Sequence, residues 1–147
     1  MQQFDASKGA RRLLDIKNME VKEVKEYYLQ HLKLSDVERN NRILQLKKRI
    51  IRAKKPGFYE WILAIISKDG KIIGKLEVMD MGNQTAFVTI NLPNKSWKTK
   101  YGEEALDQFL KICKENHYFS KLELEKGNST VEKYIKKHGL NYEVEVA

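Results

Sequence analysis

The stretch INLPNKSWKTKYGEEALDQFLKICKE, residues 90–115, decides how the chain is read. It opens on the end of an alternating segment, in which Ala86, Val88 and Ile90 interleave with Thr85, Phe87 and Thr89, the period of a half-buried strand. It closes on EEALDQFLKICKE, which sets Ala105, Leu106, Phe109, Leu110 and Cys113 on one face of a helix. Between them runs a polar connection that begins at Pro93. A strand that passes through a short loop into an amphipathic helix suits an anion. The first N–H groups of a helix have no internal acceptor, and the dipole adds about half a positive charge there. Gly102 permits a close backbone approach, and Lys95, Lys98 and Lys100 add mobile positive charge.

Upstream, FYEWILAII and KIIGKLEVM flank the Asp69-Gly70 pair and read as a hairpin. A second turn at Gly82-Asn83 leads into the alternating strand. The beginning of the chain predicts a strand over Arg11–Ile16, then a helix capped by Asn18 with Val21, Val24, Tyr28 and Leu32 in near-helical register. Ser35 followed by Glu38 forms a capping-box signature for a second helix carrying Ile43, Leu46 and Ile50, which Pro56 and Gly57 stop. Downstream, KLELE reads as a strand, STVEKYIKKH as a helix with a Gly139 C-cap, and YEVEV as a last strand. Helices first, then an antiparallel meander, then strand–helix alternation predict a mixed α+β fold, a mostly antiparallel twisted sheet flanked by helices.

A chain of 147 residues, with only two prolines, Pro56 and Pro93, and no Gly/Ser-rich or low-complexity run separating two halves, predicts one domain over 1–147, with residues 1–9 a flexible or peripheral arm. The longest apolar run, Trp61–Ile66, is far too short to span a bilayer, and no apolar signal core opens the chain; a cytoplasmic protein without membrane contact is expected. The single cysteine, Cys113, excludes an intramolecular disulfide and a multi-cysteine metal site. His31, His117 and His138 are scattered, so no metal is expected. The net charge of +8 favours anionic partners. Arg39, Arg42, Lys47, Lys48, Arg49, Arg52, Lys54 and Lys55 crowd the second helix. No stacking aromatics accompany them, which argues against nucleic acid.

Trp97, Tyr101, Gly102, Glu104, Ala105 and Leu106 resemble the cofactor loop of the GNAT superfamily of acetyl-CoA-dependent N-acetyltransferases. The likeness is to the branch that acetylates ribosomal-protein amino termini, whose loop continues Gly-Tyr-Ala/Gly-x-Glu-Ala-Leu. Asn128, Val131, Gly139 and Leu140 resemble the family's closing segment, and Gly74 stands where its cofactor-side strand carries a glycine. Lys100 replaces the first loop glycine, and Ile135 replaces the tyrosine that protonates the leaving thiolate in many members.

The resemblance implies the GNAT fold and direct acetyl transfer from acetyl-CoA to a primary amine of a small molecule, peptide or protein in a ternary complex. It assigns cofactor contacts to Ile90, Asn91, Leu92, Trp97, Lys98, Thr99, Lys100, Tyr101, Gly102, Glu103 and Asn128. If the family geometry needs positive φ at the first glycine, Lys100 carries a steric cost of roughly 1–2 kcal/mol there. Tyr134, next to Ile135, is the candidate acid, and Glu77 or Asp80 the candidate base. The basic second helix would favour an anionic acceptor. Two other classes stay open: a degenerate GNAT-fold binding or regulatory module, and a basic nucleic-acid or ribosome-associated protein. A monomer and a homodimer are both compatible with the sequence.

Overall fold

A computed structural model describes Phe4, residues 14–57 and residues 59–146. The order is β1 (Leu14–Asn18), a 3-10 turn (Val21–Glu23), α1 (Val24–Tyr28), α2 (Asp36–Ala53), β2 (Glu60–Ser67), β3 (Ile72–Gly82), β4 (Thr85–Asn91), α3 (Lys95–Asn116), β5 (Lys121–Leu124), α4 (Ser129–His138) and β6 (Glu143–Glu145). The strands form a sheet in sequential order β1 to β6. Every pairing is antiparallel except β4 with β5, which α3 connects as a crossover. The fold is mixed α+β, as the pattern predicts.

Helices cover the sheet unequally. One face packs against α3 and α4 through Leu63, Leu76, Val78, Val88, Leu106 and Phe109. On the other face Ile62, Ala64 and Ile72 meet Tyr27, Leu46 and Ile50 of α1 and α2. Buried on both sides, β2 is therefore an unbroken apolar run instead of an alternating one. In β4 the alternation is kept, Ala86, Val88 and Ile90 being buried and Thr85, Phe87 and Thr89 half-buried, and β3 alternates in the same way from Gly74 to Met79. Phe4 also belongs to the core, its ring 5.3 Å from that of Trp61. Arg11–Leu13 of the expected first strand, and the rest of the expected arm, lie outside the described residues.

Three local expectations need correction. Asn18 does not cap a helix: it ends β1, and its Nδ2 donates to the Phe4 carbonyl at 3.0 Å. The cap is Glu20, in a reciprocal box with Glu23. The helix that follows stops at Tyr28, leaving Leu32 84% exposed, because the side-chain amide of Gln30 donates to the Ile72 carbonyl and ties the chain to the start of β3. Finally, α3 begins at Lys95, eight residues before the periodic segment suggested it. Ser35 does cap α2, accepting from the Glu38 N–H at 3.2 Å, and Gly70, at φ +80°, turns the β2–β3 hairpin.

Candidate active site

The early start of α3 follows from Asn94. Its Oδ1 accepts from the N–H groups of Ser96 (3.0 Å) and Trp97 (3.2 Å), and its carbonyl accepts from Lys98 N–H (2.8 Å). A helix can start wherever its first amides find acceptors, and Asn94 serves three of them. Trp97–Gly102 thus lie in the first two turns of a helix and not in a loop. Lys100 has no positive φ, so the expected strain is absent. Its ammonium sits 5.1 Å from the centre of the Tyr101 ring.

Gly102 serves packing. A Cβ at this position would fall 2.7 Å from Thr130 Cγ2, so the missing side chain is what lets α3 and α4 approach here. Between the two helices lies a cavity of about 360 Å³ lined by Lys95, Lys98, Thr99, Glu103, Ser129, Thr130 and Lys133. Glu103 is paired with Lys137 at 2.8 Å, which leaves the three cavity lysines in excess.

Beside this groove the sheet opens. The β4–β5 ladder ends at Val88–Leu124, extended only by Glu125 N–H to Val88 C=O at 3.1 Å. Thr89, Ile90 and Asn91 continue along β3 without a β5 partner. Asn128 spans the gap: its Oδ1 accepts from Thr130 and Val131 N–H at the start of α4, and its Nδ2 donates to the Ile90 carbonyl at 2.8 Å. One amide thus couples the free end of β4 to the groove.

The predicted acid and base are each engaged by other side chains, although Glu77 lies across from Thr89 at the start of the opening. Tyr134 is buried against α3, its hydroxyl donating to Asp107 Oδ1 at 3.1 Å, with the His138 ring 4.4 Å away. Burial, then the Asp107 charge, push the phenol well above its ordinary value. Ile135 packs on the same core. Glu77 bonds Lys75 and Arg49 (3.2 Å), the second of which also holds Glu60 at 3.1 Å. Burial alone would raise the Glu77 carboxyl, but Lys75 and Arg49 outweigh it and hold the group below the usual carboxylate range. Asp80 accepts from Gly82 N–H at 2.9 Å, at the opposite end of β4 from Asn91. Arg49 bridges Glu60 and Glu77, while Arg52, 63% exposed, lies 3.6 Å from Glu60 and keeps its guanidinium toward solvent.

No family model matches the sequence, and no curated protein does either. Solved structures match it closely in shape. A spermidine N-acetyltransferase SpeG chimera from Vibrio cholerae and hSSAT superposes with a TM-score of 0.68 at 11% identity, over 86% of this chain and 79% of its own. Mycobacterium smegmatis RimJ in complex with CoA-disulfide gives 0.68 at 12% identity, over 86% and 69%. The chain has the GNAT acetyltransferase fold. Thermoplasma acidophilum PaiA N-acetyltransferase, in complex with coenzyme A, shares this GNAT fold at 0.59 and 16% identity, over 86% of this chain and 89% of its own.

Sequence reasoning missed Asn94, Ser129, Thr130 and Lys133. An Asn followed by a run of helix-compatible residues is an N-cap signal and was legible at Asn94. The pairing of Lys98 with Lys133 across two helices was not. Among the described residues no group of three His, Cys, Asp or Glu is placed to hold a metal, and no helix is long and apolar enough to cross a membrane.

Proposed function

We propose that the chain is an acetyl-CoA-dependent N-acetyltransferase acting on a primary amine of a small molecule, peptide or protein. The observation that carries this reading is the junction at Asn128, which joins the end of β4 that β5 leaves free to a lysine-lined groove within a GNAT fold. An anionic cofactor fits that groove by a changed route. Asn94 already occupies the Ser96 and Trp97 amides, so Lys95, Lys98 and Lys133 take up the phosphates as side-chain charges. Backbone at Ile90, Asn91 and Leu92 orients the pantetheine arm, and the buried side chains of Ile90 and Leu92 keep water away from it. When bound, acetyl-CoA supplies the activated acetyl group that passes to the amine as the C–S bond breaks.

The test is thermal melting with and without acetyl-CoA, followed by thiol release over spermidine, lysine, phenethylamine and alanyl peptides. Saturation at 100 times Kd adds roughly 2.7 kcal/mol, a rise of several degrees at about 2–4 °C per kcal/mol. No shift at millimolar acetyl-CoA sinks the reading. A shift without turnover of any amine favours a degenerate cofactor-binding module, the reading that the Asn94 cap and Ile135 support.

Two variants sharpen it. Lys98→Ala combined with Lys133→Ala is expected to raise KM for acetyl-CoA about tenfold, more at low than at high salt, since exposed charges are screened. Salt-independent KM values equal to wild type would remove these lysines from the grip. Tyr134→Phe loses the hydrogen bond to Asp107 and is expected to cost about 1 kcal/mol in urea melts. Thiol release should stay within threefold, and a hundredfold loss would restore Tyr134 as the acid.

A further inference from the structure

Acyl transfer to an amine needs a group that takes a proton from the attacking nitrogen, and Glu77, locked between Lys75 and Arg49, is a poor candidate. A better one lies across the β4–α3 corner. A cavity of about 410 Å³ opens there, with Gln30–Leu34 of the α1–α2 connection on one wall and Pro93–Ser96 on the other. Two buried polar atoms among its lining residues have no hydrogen-bond partner, Gln30 Oε1 and His31 Nδ1. Leaving such atoms unpaired is costly unless a ligand meets them. The Gln30 amide nitrogen is already bound to Ile72, so its oxygen is left as an acceptor; a group that donates N–H bonds matches it.

His31 is held in place before any ligand arrives. Its N–H donates to the Tyr28 carbonyl at 3.1 Å, and its own carbonyl accepts from Arg39 Nη2 at 2.8 Å. The ring rests against Tyr27 and Tyr28, with centroids 5.0 and 4.8 Å away. Burial first, then Lys75 of β3 and Arg42 and Arg39 of α2, hold the imidazole below its ordinary value, against the raising effect of a weak hydrogen bond to the Tyr27 backbone. Lys33 and Lys95 also line the cavity. His31 is thus kept neutral and able to accept a proton near pH 7.

We propose that this cavity receives the acceptor amine, with His31 as the proton-accepting catalytic residue and Gln30 Oε1 as a second acceptor for the amine's N–H. The inference rests on the acetyltransferase reading. In the transfer the amine nitrogen bonds to the thioester carbonyl carbon and the C–S bond breaks. One proton passes from that nitrogen to His31, the sulfur leaves as the thiol after taking up one proton, and His31 returns its proton to solvent.

The experiment compares the wild-type chain with His31→Gln and His31→Asn, using acetyl-CoA and the fastest acceptor of the amine panel. Expected are a loss of roughly a hundredfold in kcat/KM, an unchanged acetyl-CoA melting shift, and loss of the bend that the wild-type pH profile makes as His31 protonates below its ordinary value. The melting shift also shows that each variant is folded. A variant kcat/KM within threefold of wild type overturns the assignment and leaves the acetyltransferase reading standing. So does a loss uniform across pH with the bend retained. If the wild-type chain releases no thiol with any amine, both fall together.

Discussion

Arg49→Ala is expected to lower the unfolding free energy by about 2–3 kcal/mol, measured by urea melts at pH 7. The guanidinium bridges Glu60, whose side chain is 7% exposed, and Glu77, and its removal leaves Glu60 with only Arg52 at 3.6 Å. Breaking a buried pair from one side strands the other charge, which costs more than the pair itself contributes. The figure lies below the usual range for such losses because Lys75 still neutralises Glu77 and Arg49 is one-third exposed. The pH dependence has a definite sign. The Glu77 carboxyl is held below its ordinary value in the folded state, so its contribution is full above the unfolded value and fades as pH falls through the folded one. The gap between wild type and variant should therefore narrow in melts below pH 4. A gap that is constant from pH 7 to pH 3 would show that Arg49 acts through packing of its aliphatic stem instead.

Gly74→Ala is expected to cost about 2–3 kcal/mol, a fall in Tm of roughly 5–10 °C, and to disturb the end of β4 that β5 leaves free. A Cβ at Gly74 would stand 2.6 Å from the Asn91 carbonyl oxygen and 2.8 Å from Leu92 Cγ. The first of these is backbone and cannot rotate away. Relief requires the chain to shift outward at Asn91, the last residue of β4 and beyond the β5 ladder, and at Leu92 just after it. The substitution should thus weaken acetyl-CoA binding more than an equally destabilising change elsewhere, such as Leu46→Ala on the opposite face. Equal acetyl-CoA melting shifts in the two variants would show that the Gly74 contact supports the fold only.

Much of the fold was legible because its signals are local. Asp69-Gly70 and Gly82-Asn83 demand turns, β4 alternates, and Ser35 caps α2 through a neighbour three residues on. The candidate site was legible in outline only. The resemblance singled out Trp97–Gly102 and Asn128, and both segments do flank the groove and the opening of the sheet. It could not tell that the loop would be helical, since that rests on the Asn94 side chain reaching Ser96 and Trp97 before an anion does. Nor could charge counts tell that Arg49 turns to bridge two carboxylates. Its partners Glu60 and Glu77 lie on two different strands, 11 and 28 residues further on.

By itself, the sequence determined the order of the elements, the turn at each hairpin and the faces that α2 and α3 bury, because these follow from periodicities and caps a few residues long. Tertiary structure alone decided the chemistry of the site. Which lysines share a groove, which carboxylate is neutralised and which histidine keeps an unpaired nitrogen beside a cavity all depend on distances between residues that the chain brings together only by folding. Residue 102, seated where α3 crosses α4, illustrates the division. The glycine stands in the sequence, but the reason for it is the Thr130 methyl group on another helix.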